Sequence, residues 1–206
     1  VGVPVSSDSA AALRYALSFT TGGLLEREAT NLAPVYVEYR DWANVRDVAV
    51  GQNLLKARTH QTGVRLVRET VQRMSALSDH EVEILADLTA SERGHLMWAA
   101  ACRRYDLVGE FAEEVLRERY LTLAGAVSYE DYDSFYRAKA MWHDELDAVS
   151  PATYKKLRQV LFKMMVEAEL LTPQGAIEPA LLSARVTDCL AQRTPSDIRF
   201  FPTRVA

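Results

Sequence analysis

Cysteine is scarce in this 206-residue chain: Cys102 and Cys189 are the only two, far apart and without partner spacing. That excludes a disulfide scaffold, a zinc knuckle and a redox pair, and it suits a reducing cytoplasm. Long apolar runs are missing as well. The most apolar stretch, residues 96–102, is closed by Arg103-Arg104 and falls far short of the roughly 20 residues a membrane helix needs. No basic segment followed by an apolar run opens the sequence, so no secretory signal is expected and the cytoplasm is the expected location. Glycine is thin, and Gly22-Gly23 is the one pair. Two glycines cannot build a phosphate cradle, and they read as backbone freedom ahead of a helix. Walker loop, dinucleotide turn, nucleophile elbow and His-Glu-x-x-His are all lacking. The sequence therefore points to no enzyme, and no cofactor is expected.

Metal chemistry is equally poorly supplied. One Glu-x-x-His spacing exists, Glu92 to His95, and none of His60, His80 or His143 provides the second that a helical two-metal site requires. Glu130, Asp131 and Asp133, with Glu110, Glu113 and Glu114 upstream, would suit a Mg²⁺-dependent nuclease only if they converged on one pocket. Asp131 and its neighbours fit the first turn of a helix, where negative charge complements exposed N–H groups. The upstream acids read as a solvated face. No metal is expected.

What is present is an ordinary globular composition, 49% hydrophobic and 25% charged, with ample apolar surface for a core. Helical period dominates. A segment after Gly22-Gly23 runs to about Arg40, interrupted by Pro34, and a short piece follows over residues 41–50. Val64, Val67, Val71 and Met74 stripe a helix over residues 61–77. Ser78 with Glu81 forms a capping box, and Ser91 starts a helix reaching Arg104. Leu107, Val108, Phe111 and Val115 mark another. Ser128 with Asp131 opens a helix whose Tyr132, Phe135, Trp142 and Leu146 form an aromatic-rich stripe, with the stem of Lys139 along it and its ammonium in water. Ser150-Pro151 caps a helix lined by Leu157, Val160, Leu161, Met164, Ala168 and Leu171. Residues 172–175 carry turn chemistry, residues 176–178 suit a short strand, and Ser183 caps a last helix. The expected fold is all-α, in two small modules, residues 18–123 and 128–192. The second resembles a helix-turn-helix or winged helix with at most a short β piece.

The total charge of −4 conceals segregation. Residues 106–147 carry net −7, whereas residues 56–73 and 148–166 each carry net +4. Lys56, Arg58, Arg65, Arg68 and Arg73 supply the first basic stretch, with Arg58, Gln61, Arg65, Arg68 and Gln72 on one ridge if the helix extends that far. Lys155, Lys156, Arg158 and Lys163 supply the second, together with Gln159 and Tyr154. Lys and Arg along one helix face neutralise successive phosphates, and Gln and Arg also reach base edges. A solubilising face has the same pattern, so both readings stay open at this point.

Several stretches carry a family likeness. They are Ser18-Phe19-Thr20 with Gly22-Gly23-Leu24; Phe111 with Glu114-Val115-Leu116-Arg117-Glu118 and Tyr120; and Asp131-Tyr132-Asp133-Ser134-Phe135. Trp142-His143 with Glu145-Leu146 follows, then Lys156-Leu157-Arg158-Gln159-Val160-Leu161-Phe162 with Met164, Ala168 and Leu170-Leu171. In this order they resemble the BrxA family, small components of BREX bacteriophage-defence systems, over about residues 18–190. The resemblance implies a largely helical, non-enzymatic DNA-binding protein working beside other BREX proteins. A likeness of that family to the NusB antitermination fold keeps RNA in play. Individual contacts are not implied, and only Lys156, Arg158 and Gln159 of the candidate set lie in a matching stretch. The expected activity is binding of double-stranded DNA through basic helix faces with little sequence preference. A protein–protein adaptor and a NusB-like RNA-binding protein are the alternatives.

Overall fold

A computed structural model describes residues 14–204, and most of the N-terminal stretch read for a secretory signal lies outside them. The chain forms α1 (Glu26–Tyr39), α2 (Trp42–Gly51), α3 (His60–Met74), α4 (Asp79–Ile84), α5 (Ala90–Arg104) and α6 (Asp106–Phe111). A π-helical turn over Ala112–Arg117 carries α6 into α7 (Glu118–Leu121). Then come α8 (Tyr129–Ala140), α9 (Asp144–Asp147), α10 (Pro151–Glu167), α11 (Ala184–Ala191) and a terminal 3₁₀ turn (Asp197–Phe200). The fold is all-α. Where the sequence suggests a short strand, the described residues show only isolated pairings, Ala126 with Ala176 and Leu171 with Ile177.

The helix starts follow from local chemistry. Ser78 and Glu81, and Ser128 and Asp131, close reciprocal capping boxes, while Ser150 caps α10 with Pro151 in its first turn and Ser183 caps α11. The start of α5 lies earlier than Ser91, because Thr89 pairs with Glu92 in a third box. That box accounts for Glu92. Pro34 does not interrupt α1. A proline inside a helix costs about 3 kcal/mol, but Ala29, Leu32, Ala33 and Tyr36 bury a face spanning both sides of it. Large side chains contribute about 1.5–3 kcal/mol each when buried, enough to offset the lost bond.

The apolar stretch of residues 96–102 is the centre of the molecule. Every residue of α5 from Gly94 to Cys102 is buried, as expected of a helix apolar on all sides. Trp98 donates its indole N–H to the Phe200 carbonyl at 2.9 Å, fixing the terminal 3₁₀ turn against α5. Among the described residues no helix is long and apolar enough to cross a membrane. Both cysteines are free and buried.

Three side chains depart from the sequence reading. Val64 is 40% exposed, leaving Val67, Val71 and Met74 as the buried stripe of α3. Trp142 is 80% exposed because α8 ends at Ala140 and the helical register that would turn it inward is lost; Tyr136 is buried beside Tyr132 and Phe135 instead. The Lys139 side chain is 21% exposed, but its ammonium is held by two acids rather than by water alone. Its ammonium lies 2.6 Å from Glu110 and 2.7 Å from Glu114, and Glu110 also accepts from the Tyr15 hydroxyl at 2.6 Å. Glu113 pairs with Arg199 at 3.2 Å, so all three upstream acids are engaged rather than merely solvated.

Candidate nucleic-acid interface

The first basic stretch is divided by the start of α3. Thr59 caps the helix through its side chain, so Lys56 and Arg58 lie ahead of it on an exposed turn. Gln61, Arg65 and Arg68, at i, i+4 and i+7, form the exposed ridge of α3. No carboxylate of the described residues comes within ion-pair distance of Lys56, Arg58, Arg65 or Arg68. Arg73 is different. It is fully buried, with its guanidinium 3.4 Å from Glu69 and bonded to the backbone carbonyls of Gly23 and Thr21. Glu69 also accepts from the Tyr105 hydroxyl, and Phe19 packs against that ring at 5.2 Å. Arg73 is thus removed from the surface set, since burial and a charge partner hold it inside.

On α10, Lys155, Lys156 and Gln159 are exposed, and Lys156, Gln159 and Lys163 share a ridge at i, i+3 and i+7. Lys163 is exposed and stands 3.5 Å from Glu167. Arg158 faces another way. Its guanidinium takes both oxygens of Asp133, at 2.7 and 2.9 Å, and lies over the Tyr129 ring at 4.3 Å. Tyr154 donates its hydroxyl to the same carboxylate. Burial acts to raise the Asp133 carboxyl, but the bonds from Tyr154 and Arg158 outweigh it and hold the group below its ordinary value. Burial and the bond to Asp133 push the Tyr154 hydroxyl up to about 12. Arg158 and Tyr154 therefore tie α10 to α8, and their polar groups are already partnered.

A loop connects the two basic helices. Arg73 of α3 holds the carbonyls of Thr21 and Gly23, while Glu167 of α10 accepts the Leu24 N–H at 2.5 Å. Gly22 has φ +76°, and a Cβ on Gly23 would stand 2.2 Å from a Glu167 carboxylate oxygen, so the Glu167 side chain would have to move off the Leu24 N–H to admit one. The glycine pair thus does more than free the backbone. It lets the loop pass between α3 and α10 at close range.

Clefts follow this bridge. Val64 and Arg68 border one with Arg46 and Asp47 of α2, and another with Ser18, Thr20, Thr21 and Arg65. The next, of 510 Å³, is lined by Gly22, Gly23, Leu66 of α3 and Lys163 of α10. Lys163 and Glu167 then also line the largest, of 840 Å³, between α10 and the turn at residues 172–175. The ridge of α3 therefore borders the first two clefts and the Gln159–Lys163 part of α10 the last, and the loop of residues 18–23 lines the second and the third in turn. Arg46 on α2 and Arg27 on α1 join this run of clefts, and neither stood out in the sequence because each adjoins an acid, Asp47 and Glu26. Among the described residues no group of three or more His, Cys, Asp or Glu side chains is placed to hold a metal ion.

Comparison with known proteins gives the arrangement its context. A crystal structure of an uncharacterized protein from Magnetospirillum magneticum has a similar fold, with TM-score 0.74 and 16% identity, covering 92% of this chain and 98% of that one. The BREX protein BrxA of Escherichia coli O9:H4 (strain HS) is 22% identical over 173 residues, 84% of this chain and 81% of the relative. The BREX protein BrxA of Bacillus cereus (strain H3081.97) is 20% identical over 147 residues, 70% of this chain and 74% of the relative. The sequence model of the BrxA family matches residues 13–194. By that match, spanning the caps, the glycine bridge and both basic helices, the chain belongs to the BrxA family of BREX defence systems.

Proposed function

We propose that this protein is a non-enzymatic, duplex-DNA-binding component of a BREX system, contacting phosphates along the cleft run between α3 and α10. The observation that carries this reading is the shared border: Leu66 of α3 and Lys163 of α10 line one cleft across the Gly22-Gly23 bridge. Arg27 and Lys163 line this cleft together with Glu26, Glu28 and Glu167, Arg65 and Arg68 line the neighbouring one with Thr20 and Thr21, and Arg58, Lys155 and Lys156 are exposed on the same two basic stretches. Arg58, Arg65, Arg68, Lys155, Lys156 and Lys163 are all exposed, and of these only Lys163 has a carboxylate near it. Cations at helical spacing, with few fixed hydrogen bonds among them, suit phosphate contacts, which position a duplex without reading its sequence.

Duplex affinity measured across a salt series tests the proposal. Counterion release predicts that binding weakens steeply as salt rises. Charge reversal of Lys155, Lys156 and Lys163 together weakens binding to unrelated sequences about equally. No detectable duplex binding at low salt overturns the proposal, and preferential binding of RNA under the same conditions would favour the NusB-like alternative. One observation supports the adaptor reading on a different face. Met141 and Trp142, between α8 and α9, are 77% and 80% exposed, an apolar pair of the kind that marks protein contact.

A further inference from the structure

The 840 Å³ cleft beside α10 has a lining unlike the rest of the run. Val127, Tyr129, Phe162, Val166 and Pro173 make its walls. Tyr129 and Phe162 meet edge to face at 4.7 Å, and Tyr129 remains 47% exposed with the Arg158 guanidinium 4.3 Å over its ring. Gln159, Lys163 and Gln174 stand among them. The far wall is fixed. Val127 donates its N–H to the Gly175 carbonyl at 2.9 Å, and Gly175, at φ +88°, lies where a Cβ would come within 2.6 Å of the Val127 carbonyl.

Aromatic and guanidinium planes take bases by stacking, and side-chain amides offer both donors and acceptors to a base edge. Lys163 in the lining is matched by Glu167, 3.5 Å away in the same lining, and the cations beside the cleft without a carboxylate partner among the described residues are Lys155 and Lys156, Lys156 one helical turn from Gln159. That charge suits a polyanion better than an apolar peptide. Resting on the DNA-binding reading above, we infer that this cleft holds one unpaired nucleobase of the bound nucleic acid. The protein then favours a duplex carrying a single-stranded tail over a blunt one.

Fluorescence anisotropy with the full chain tests this at fixed low salt. The probes are a blunt duplex, the same duplex with a short single-stranded tail, and that duplex with the tail made abasic. The abasic tail keeps the phosphates, so the comparison isolates the base. The tailed duplex is expected to bind roughly tenfold tighter than its abasic counterpart, as base stacking on aromatic side chains implies. Tyr129→Leu, checked for folding by circular dichroism, brings that ratio to about one. 2-Aminopurine in the tail reports stacking directly by loss of emission on binding. Equal affinity for tailed and abasic duplexes, with emission unchanged, overturns the base pocket and leaves duplex binding standing. A base-dependent tail advantage without any blunt-duplex binding upholds the pocket and overturns the duplex reading. Binding to none of the probes overturns both.

Discussion

Arg65, Arg68 and Arg73 lie on one helix, yet burial gives the last a different task. Arg73 has no exposed surface and ties Glu69 to the carbonyls of the glycine bridge. Removing its guanidinium would leave Glu69 in the interior with the Tyr105 hydroxyl but no charge partner, and breaking a buried pair typically costs about 3–5 kcal/mol. Arg73→Met is therefore expected to lower unfolding stability by about that amount in urea denaturation. Arg65→Met and Arg68→Met are expected to stay within about 0.5 kcal/mol of wild type, as is usual for surface positions. A wild-type midpoint for Arg73→Met would show that the bridge is held by other means. Part of this was legible in the sequence. Glu69 precedes Arg73 by four residues, the spacing of a helical ion pair, and Arg73 lies off the ridge of Gln61, Arg65 and Arg68. A charge count alone could not use that, because it weighs every arginine equally.

Helix starts were easier to read than what holds the helices together. Caps act within a few residues, so Ser78, Ser128, Ser150 and Ser183 announced four starts. The end of α8 and the exposure of Trp142 depend on where the chain must turn, which periodicity does not encode. Least legible was the tie among α4, α5 and the terminal 3₁₀ turn. Arg103 pairs with both oxygens of Glu81 at 2.7 Å and with Asp197 at 2.6 Å, and all three side chains are nearly buried. Burial acts to raise the Glu81 carboxyl, but its bonds to Arg103 and Ser78 outweigh this and hold it below the ordinary 4.5. A carboxylate depressed in the folded state adds stability above its unfolded value, which is lost as pH falls through the folded value. The expected outcome is that wild-type thermal stability drops on acidification below about 4.5. Glu81→Gln should be less stable at neutral pH and lose less across that window. Parallel acid profiles for the two proteins would remove Glu81 from the account.

At the scale of the whole molecule, charge is segregated and partly cancelled by tertiary pairing. The stretches of net +4 at residues 56–73 and 148–166 include Arg73 and Arg158, whose charges are met by Glu69 and Asp133. What remains outward is a smaller set on each side of the glycine bridge, a juxtaposition that no linear pattern could show because it is made by a loop 40 or more residues before α3 ends. Whether both sides serve one duplex is a question about the salt dependence of binding. Each phosphate contact contributes about 0.9 to the slope of log affinity against log salt. Replacing Arg58, Arg65 and Arg68 by glutamine should lower the slope by about 1 for each cation that touches a phosphate, and the same holds for Lys155, Lys156 and Lys163. If one duplex lies along the cleft run, the reductions from the two sets add when all six are replaced. If the α3 set leaves the slope unchanged while the α10 set lowers it, the duplex is confined to α10, and the exposed arginines of α3 serve solubility alone.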